Sequence, residues 1–361
     1  MTINSKSLTQ IALRKFKKNY TGLLSFWYVV FCAFVAVFAY VLAPDATTNA
    51  NQMHLEIHSK SPGFKVLMLQ IPSKTAPAQS FFNKIFFGKI NNATEIPIES
   101  YRLTSEGIEV LNYPKSLNKT QFFKNATFDK TLKSSLKTKT FIFGTDRYGR
   151  DLLSRLLIGT RISFFIGFIA VFISLIIGIS IGATAGYFGG KIDAFLMWLI
   201  NVTWTIPTLL LVIAITLALG KGFWQVFIAV GLTMWVEVAR VVRGQVMSAK
   251  QQQYVEAAKA LGYSHYRIIF KHILPNILAP IIVISAVNFA AAILIESGLS
   301  FLGIGAQPPT PSWGGMIKDH YNYIILGKAF LAIIPGLAIM SLVTAFMMIG
   351  NALRDALDVN N

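Results

Sequence analysis

The sequence predicts an all-α integral membrane protein with six transmembrane helices and a small β-rich insertion between the first two. Of 361 residues, 54% are hydrophobic and only 14% are charged, so the apolar side chains must lie either in a large core or in a bilayer. Run length favours the bilayer. Residues 22–43 contain no charge, and as a helix they extend about 33 Å, enough to cross the hydrocarbon layer. Further apolar runs follow at roughly 162–186, 193–219, 222–240, 277–303 and 328–350.

The first apolar run follows a basic tail, residues 1–21, and this arrangement is compatible with a cleaved signal peptide or an uncleaved anchor. The run exceeds the roughly 7–15 apolar residues of a signal peptide, and Pro44-Asp45-Ala46 is a poor cleavage site. We therefore expect residues 22–43 to remain as the first transmembrane helix. The single cysteine, Cys32, lies inside this run, so the sequence offers neither a disulfide framework nor a thiolate metal cluster.

The positions of the cations matter more than the formal charge of +17. One group precedes the first run, and a second group lies between the fourth and fifth runs. With six spans and an internal N-terminus, both groups lie on the cytoplasmic side, as the positive-inside bias requires. We therefore expect cytoplasmic tails at 1–21 and 351–361, a lipid environment and no nucleic-acid partner. The second group comprises Arg240, Arg243, Lys250, Lys259, Arg267 and Lys271.

Residues 44–143 differ in composition and are rich in Lys, Asn, Ser and Thr. The segments HLEIH, FKVLMLQI, IPIES and GIEVL alternate apolar and polar residues between turn signals, which predicts strands in an extracytoplasmic insertion. On a strand, His54, Glu56 and His58 would share one face and could approach a metal ion. Because a fourth ligand is missing, we favour a solvated face without metal.

The segment FGTDRYGRDLLSRLLIGTRIS at residues 143–163 resembles a phosphate-binding loop only in part. Gly144 and Gly149 have the required spacing, but Arg150-Asp151 replaces the Lys-Ser/Thr pair that holds the γ-phosphate and Mg²⁺. We therefore expect no ATP site on this chain.

Two interpretations of this segment remain open. In the first, Thr145 and Asp146 stabilise a turn, and Asp151 caps the helix that becomes the second span. In the second, Arg147, Arg150 and Asp151 also take part in docking or gating at the membrane surface.

Two acidic residues lie in the later apolar runs, Glu237 near the end of the fourth and Glu296 near the end of the fifth. A charge in the bilayer costs roughly 2.5–3.5 kcal/mol on insertion scales, so such groups usually have partners. They could carry protons in a secondary transporter. We favour a structural role, with Glu237 paired to Arg240 or Arg243, because the chain lacks the inverted repeat that is typical of secondary transporters.

The polar stretch YVEAAKALGYSHYRIIFKHILPN, residues 254–276, predicts two short helices. Strong helix formers occupy 251–261, and Gly262 follows where a left-handed cap is needed. Ser264 can cap a second helix that runs to about Leu274 and ends at Pro275.

The first of these helices is thin because Ala257, Ala258 and Ala260 carry the smallest side chains. A thin helix suits insertion into a groove of another protein. The alternative is an ordinary cytoplasmic hairpin that packs on the spans of its own chain.

The pattern E-A-A-x-x-x-G from Glu256 to Gly262, followed by Leu274-Pro275, resembles the EAA loop of permease subunits of ABC importers. The motifs GYFGGKIDAFLMW, ARVVRGQV, RIIFKHILPN, ESGLSFLGIGAQPPTPSWGGM and NALRDALD extend the likeness over residues 141–359. Together they resemble the second permease of dipeptide, oligopeptide and nickel importers. His272 departs from the general EAA pattern, and the 44–143 insertion is longer than most members carry.

This resemblance implies the type I ABC importer permease fold, with a five-helix core at 144–350 and a cytoplasmic coupling loop at 241–276. The residues implied to contact a cytosolic ATPase are Glu256, Ala257, Ala258 and Gly262, and those implied to join the loop to the fifth span are Leu274 and Pro275. Trp313, in the external PPTPSWGGM segment, would belong to a rim that meets the binding protein or gates the outer mouth, or only to a rigid turn.

The implied function is a non-catalytic permease of the bacterial inner membrane that forms half of a path for peptides. The implied partners are a homologous second permease, two cytosolic ABC ATPases that hold ATP and Mg²⁺, and an extracytoplasmic solute-binding protein; the chain itself carries no cofactor. Nickel or another small solute is an alternative cargo. A proton-coupled carrier and a membrane scaffold are alternative functions.

Overall fold

The computed structural model describes residues 8–72, 79–90, 93–114, 119–124, 135–220 and 222–357. Within these ranges, five helices are long and apolar enough to cross a membrane, and a bent pair of shorter helices brings the number to six. The chain is therefore mostly helical, as its composition predicts. In chain order the helices are α1 (Leu8–Lys18), α2 (Tyr20–Leu42), α3 (Phe81–Phe87), α4 (Leu152–Phe188), α5 (Gly190–Thr205), α6 (Thr208–Leu219), α7 (Phe223–Lys250), α8 (Gln253–Ala260), α9 (His265–Arg267), α10 (Leu278–Leu302), α11 (Trp313–His320) and α12 (Phe330–Leu357).

The predicted apolar runs coincide with these helices, but several helices are longer than the runs. Asp151 caps α4 as predicted, because its carboxylate accepts the backbone N–H of Ser154 at 2.9 Å. That cap lets α4 begin well before residue 162. α7 continues past residue 240 to Lys250, so Glu237 lies near the middle of the helix instead of near its end.

The third span is bent, which the apolar run at 193–219 did not indicate. The axes of α5 and α6 differ by 91° across a short break. Ile206 and Pro207 form the break; Ile206 has an extended backbone conformation, and Pro207 has a ψ of 123°, which is not helical. Proline has no N–H to donate and disfavours helical geometry in the residue before it. The hydrogen-bond ladder therefore stops at this point inside an apolar segment.

The chain forms two compact units. The first comprises the described parts of Met1–Ala33, Ser163–Gln307 and Leu337–Asn361, and the second comprises those of Phe34–Ile162 and Pro308–Gly336.

In the first unit, α4 and α7 approach each other along a row of glycines with a spacing of four residues. A Cβ atom added to Gly178 would lie 2.5 Å from the Cβ of Val238, and one added to Gly182 would lie 2.4 Å from the carbonyl oxygen of Ala239. Gly186 is similarly close to the backbone of α7. Small residues at this spacing allow two membrane helices to pack backbone against backbone.

The second unit contains the predicted β-rich insertion, whose described residues form a five-stranded antiparallel sheet of order β4-β3-β2-β1-β5. The first four strands pair in sequence, and β5 returns to the free edge of β1. In β1, Leu67 faces Ile98 on one neighbour and Thr138 on the other. The strands are β1 (Phe64–Pro72), β2 (Ala93–Leu103), β3 (Gly107–Asn112), β4 (Thr120–Lys124) and β5 (Leu136–Phe141).

Both faces of β1 are covered. Leu69 packs with Ile98 and Ile108 on one face, whereas Met68 packs with Phe141 on the other. Burial on both sides accounts for the apolar content of FKVLMLQI, since successive side chains of a strand point to opposite faces.

The segment HLEIH is not a strand, and that expectation was wrong. Leu55–Ile57 forms a single 3₁₀ turn, so His54, Glu56 and His58 do not share a strand face. His54 is buried, and its Nε2 lies 3.9 Å from a carboxylate oxygen of Glu95. The five-residue alternation was too short to distinguish a strand from a turn.

The glycine row predicts opposite effects for two matched substitutions. Gly182→Ala forces α4 and α7 apart and should lower the free energy of unfolding by about 1–3 kcal/mol, the usual cost of overpacking. Gly244→Ala, also in a helix but with no atom within 4 Å of the added methyl, should leave stability unchanged or raise it by up to about 1 kcal/mol. Thermal unfolding of both variants in one detergent measures the difference. Equal melting temperatures would contradict close α4–α7 packing.

Candidate functional site

The loop between α7 and α10 contains α8, which ends in the glycine cap that the sequence predicts. Gly262 has a φ of +73°, a left-handed conformation that glycine adopts without strain. Its N–H donates to the carbonyl of Lys259 at 2.9 Å, and the N–H of Tyr263 donates to that of Ala258 at 3.2 Å. This pair of bonds is a Schellman motif, which satisfies the last carbonyls of the helix.

The two faces of α8 have different surroundings. Val255 is fully buried and Ala258 is 3% exposed, and both pack in a cluster with residues of α4, α7 and the start of the fifth span. Glu256, Ala257 and Ala260 are exposed. The loop therefore packs on its own chain, as the hairpin alternative proposes, and still presents a free face. Ala258 lies on the packed face, so it is separated from Glu256, Ala257 and Gly262, the exposed residues that the resemblance grouped with it for contact with the ATPase.

The second predicted helix begins as expected but does not end at Pro275. The Ser264 hydroxyl accepts the N–H of Arg267 at 3.4 Å and caps the start. The backbone then stays helical through a π segment (Ile268–Ile273) and a 3₁₀ segment (Leu274–Ile277) into α10. The π segment lets the N–H of Leu274 bond to Ile269, and the Asn276 amide donates to the His272 carbonyl at 2.6 Å. These alternative bonds make the missing N–H of Pro275 tolerable without a break.

Polar and aromatic contacts join the loop to the end of α4. The Tyr187 hydroxyl lies 2.9 Å from Nδ1 of His265, and the Lys250 ammonium lies 5.6 Å from the centre of the Tyr187 ring. Within the loop, the rings of Tyr263 and His272 stack with centroids 5.6 Å apart. The loop after α8 and the end of α7 are consequently both in contact with the end of α4.

Arg243 pairs with Asp193 on α5, not with Glu237 as the sequence suggested. Two guanidinium nitrogens of Arg243 each lie 2.6 Å from a carboxylate oxygen of Asp193, the bidentate geometry of strong arginine pairs. Arg240 lies over the ring of Trp204 at 3.7 Å. The partner of Arg243 is distant in sequence, and for that reason short-range spacing did not reveal it.

Glu237 instead lines a cavity of about 220 Å³ at the bend of the third span. Trp204 and Ile206 of the bent span form part of its wall, as do Thr233 of α7 and Ala291 of α10. An exposed carboxylate at mid-helix in a membrane protein usually faces water or another subunit. Glu296 is different, since it is fully buried and accepts the hydroxyl of Ser300 at 2.6 Å.

Three exposed apolar side chains of the loop were not identified from the sequence. Leu261 is 70% exposed, and the rings of Tyr266 and Phe270 lie 4.4 Å apart on the surface. The sequence did contain a signal for them, because a hairpin that faces only water would have polar residues at these positions. Such a surface beside Gly262 is typical of a contact with another protein.

A second polar cluster precedes α4 and contains the predicted turn. Asp146 is fully buried; one oxygen accepts the N–H groups of Tyr148 and Arg150 at 2.8 and 2.9 Å, and the other accepts Nε of Arg150 at 2.6 Å. Gly149 has a φ of +73°, and a Cβ atom there would lie 1.7 Å from the carbonyl oxygen of His54. The turn closed by Gly149 is therefore confirmed, and it is fixed by a buried ion pair.

The four residues predicted for docking or gating differ in exposure. Arg150 and Asp151 are each 3% exposed and Trp313 is 2% exposed. Only Arg147 keeps about a third of its side chain exposed, and it pairs with Asp319 at 3.2 Å. Buried side chains hold the local structure, so Arg147 is the member of this set with surface to offer a partner.

The PPTPSWGGM segment is fixed through Trp313. Its indole Nε1 donates to the Leu156 carbonyl of α4 at 3.0 Å, and a Cβ atom on Gly159 would lie 2.8 Å from the indole ring. At the other end of α11, Nδ1 of the buried His320 lies 2.7 Å from the Met316 carbonyl. The segment is a rigid turn on α4, whatever else it contacts.

These features define a multi-pass helical membrane protein whose loop between the fourth and fifth spans is fixed on one face and free on the other. Residues 174–359, more than half of the chain, match the family model described as binding-protein-dependent transport system inner membrane component. Residues 7–62 match the N-terminal TM domain of oligopeptide transport permease C. The chain therefore belongs to the family of binding-protein-dependent transport system inner membrane components, and the resemblance drawn from its motifs is confirmed.

Curated relatives carry related names. The dipeptide transport system permease protein DppC of Alkalihalophilus pseudofirmus is 43% identical over 216 residues, covering 60% of this chain and 71% of the relative. The oligopeptide transport system permease protein OppC of Escherichia coli K12 is 42% identical with the same coverage. The glutathione transport system permease protein GsiD of Pectobacterium atrosepticum is 40% identical over 215 residues, again covering 60% and 71%. Among solved structures, one chain of the inward-facing MetNI methionine ABC transporter aligns with this chain at 17% identity and a TM-score of 0.47. The alignment covers 56% of this chain and 95% of the MetNI chain.

The two faces of α8 predict different outcomes for one substitution at neighbouring positions. Ala258→Leu overpacks the buried cluster and should lower the free energy of unfolding by about 1–3 kcal/mol. Ala257→Leu adds the same side chain on the exposed face and should change it by no more than about 0.5 kcal/mol. Thermal unfolding of the purified variants gives both values. A larger loss for Ala257→Leu would show that α8 is oriented differently.

His320 predicts a loss of stability in acid. Burial lowers its pKa below the ordinary value of 6.5, an effect that Arg147 adds to and that the Met316 carbonyl, Asp146 and Asp319 oppose. Because the unfolded chain binds the proton at higher pH than the folded chain, the free energy of unfolding should fall as the pH drops below about 6.5, down to the folded-state pKa. Melting temperatures between pH 7.5 and 5 measure this slope.

Removing the imidazole tests this assignment. His320→Gln should reduce the pH dependence, and the buried His54, whose pKa burial also lowers, contributes to the slope that remains. An unaltered slope in His320→Gln would exclude His320 as a source of the acid sensitivity.

Proposed function

We propose that this chain is one of two membrane-spanning subunits of an ATP-driven importer that takes up dipeptides or oligopeptides. Membership in the family supports a transport role, and relatives named for dipeptides, oligopeptides and glutathione support the class of cargo. The observation that carries the proposal is the geometry of α8, which is held by three spans on one face and exposed on the other.

The exposed face of α8 docks on a cytosolic ATPase. Ala257 and Ala260 let the helix approach its partner closely, and Glu256 offers a charge at the edge of the contact. Gly262 turns the chain away directly after the helix, and the exposed Leu261 beside it adds apolar area. Ala258 supports the helix from its packed face.

Movement of the docked helix is passed to the spans because α8 packs on them and the segment after its glycine turn continues into α10. The backbone from His265 to Leu302 is continuously helical, through Leu274 and Pro275, so a push on the loop reaches α10. The bond between Tyr187 and His265 and the buried cluster around Val255 pass it to α4 and α7. ATP-dependent closure of the partner then rocks these helices between inward-open and outward-open states, in the type I permease fold.

The cavity at the bend of the third span forms part of the path wall. It joins Glu237 to the apolar and hydroxyl side chains around it, and a homologous second permease supplies the facing wall. A polar group among apolar ones suits a path that must bind a solute weakly and release it.

The remaining parts of the assembly follow from the same proposal. Two ABC ATPases bind ATP and Mg²⁺, and a solute-binding protein delivers the peptide on the outer side of the inner membrane, where Arg147 is available for contact. The coupling loop and both termini lie in the cytoplasm, which agrees with the cations of the loop. This chain binds no cofactor and performs no bond chemistry.

Reversing the charge of Glu256, or adding a charge at Gly262, should abolish the coupling between the ATPase and transport. Glu256→Lys and Gly262→Asp should each reduce ATP-driven uptake of a labelled dipeptide at least tenfold while the complete chain still inserts in the membrane. Uptake into proteoliposomes that contain both permeases, the ATPases and the binding protein measures the effect.

Conservative changes at the same positions serve as controls. Glu256→Gln removes the charge without reversing it, and Gly262→Asn tolerates the left-handed conformation, so both should retain most of the uptake. Full uptake by Glu256→Lys would contradict docking through this face. Uptake that needs no ATP and is lost in Glu296→Gln would instead support a proton-coupled carrier.

A further inference from the structure

Helix α3 in the second unit has the sequence FFNKIFF, and all four of its phenylalanines are exposed. It comes shortly before β2, in the insertion, and none of its residues is buried. Clustered exposed aromatic side chains on a single short helix are unusual for a surface that faces only water. The exposed fractions are 72% for Phe81, 70% for Phe82, 44% for Phe86 and 68% for Phe87.

Three of the four exposed rings lie on one side of the helix, and Phe87 lies outside this group. Phe82 and Phe86 are four residues apart, as are Phe81 and Ile85, so these four side chains form one continuous apolar face. The rings of Phe81 and Phe82 contact each other edge to face, with centroids 6.2 Å apart. Lys84 lies outside this face and is exposed. The helix is therefore amphipathic.

Several contacts fix α3 beside the ends of the first two spans. The Phe86 carbonyl accepts Nη1 of Arg161 on α4 at 2.6 Å, and the Phe87 carbonyl accepts the Thr48 hydroxyl at 3.0 Å. Gly88, which ends the helix, packs so closely that an added Cβ atom would lie 2.9 Å from the ring of Tyr40 on α2.

These contacts also set the depth of α3. No charged residue separates Arg161 from Lys191, and none separates Lys18 from Asp45, so Arg161 and Asp45 mark the level where α4 and α2 leave the hydrocarbon layer. Lys89, directly after the helix and its glycine, bonds through its N–H to the Ala46 carbonyl at 2.7 Å. The aromatic face of α3 consequently lies at the membrane boundary.

We propose that α3 is an interfacial anchor whose apolar face is inserted among the acyl chains of the leaflet at which α2 ends and α4 begins. The occupant of this face is lipid, because the face is apolar and lies at the level where the two spans emerge from the hydrocarbon layer. In the proposed orientation this is the outer leaflet. Interfacial helices typically insert such a face to the boundary between headgroups and acyl chains.

The charges next to α3 fit the same surface. Lys84 on the helix and Lys89 after it are both exposed, and they lie at the height of the lipid phosphates when the rings are inserted. The anchor adds a direct contact between the insertion and the bilayer to the contacts that α3 makes with α2 and α4. This conclusion does not depend on which solute is transported.

Spin labels at three phenylalanines test the anchor. In a Cys32→Ser background, Phe82→Cys is labelled with a nitroxide in the complete chain in phospholipid nanodiscs, and its accessibility to oxygen and to a water-soluble nickel reagent is measured. Phe31→Cys on α2 is the lipid-facing reference, and Phe122→Cys on β4, a 48% exposed phenylalanine, is the aqueous reference. The ratio of oxygen accessibility to nickel accessibility at the Phe82 label should be at least severalfold above the ratio at Phe122 and no higher than the ratio at Phe31, which lies at the middle of α2.

Two other outcomes would overturn the anchor. A Phe82 label that resembles Phe122 would place α3 in water, and a label shielded from both reagents in the assembled transporter would place it against a protein partner. A phospholipid with a photoreactive acyl chain applies the same test to the unmodified chain. Cross-links in residues 81–87 support the anchor, and their absence beside efficient cross-linking of α2 refutes it.

Discussion

The constraint on which the structure depends is that every backbone N–H and C=O group inside a bilayer needs a partner within the protein. Long helices meet this requirement, and for this reason the apolar runs become α2, α4, α7, α10 and α12. Departures from regular helix are then costly unless another group compensates. The described spans depart from it at two places of interest, the bend at Pro207 and the π and 3₁₀ segments around Pro275. Both lie next to the surfaces to which the proposed function assigns solute and ATPase.

Those two departures are compensated differently, and the difference fits their proposed roles. Near Pro275, the Leu274 N–H finds a carbonyl one residue farther away and the Asn276 amide satisfies another. The helix therefore remains a stiff connection between the loop and α10. At Pro207 the helix stops, and a cavity that contains Glu237 opens beside the break. A continuous connection transmits motion, whereas an interrupted one provides space and polar groups along a path.

Sequence reasoning succeeded where the determinants were local. Hydropathy located the spans, and the cap at Gly262 followed from residues within one turn of it, as did the cap at Asp151. Sequence reasoning failed where the interacting partners are distant in the chain, and where an alternating segment such as HLEIH was too short to define a strand. Asp193, the partner of Arg243, lies on another helix, and the burial of Ala258 depends on α4 and α7. Pro207 was present in the sequence as a possible cause of the bend. The length of an apolar run does not respond to a single proline, so it cannot distinguish a straight span from a bent one.

The distribution of buried and exposed charge separates residues that hold a site from residues that can meet a partner. Asp146 and Arg150 pair out of contact with water, and Nε of Arg155 lies 3.7 Å from the same carboxylate. Removing one member of such a buried pair is costly because the other charge stays buried with fewer partners. A residue fixed in this way cannot exchange its partner for one on another protein. Arg147 next to it remains partly exposed, and Glu256 is exposed on the free face of α8. The motif residues are therefore not equivalent, and the capacity for regulated contact belongs to the exposed ones, each placed by a buried neighbour.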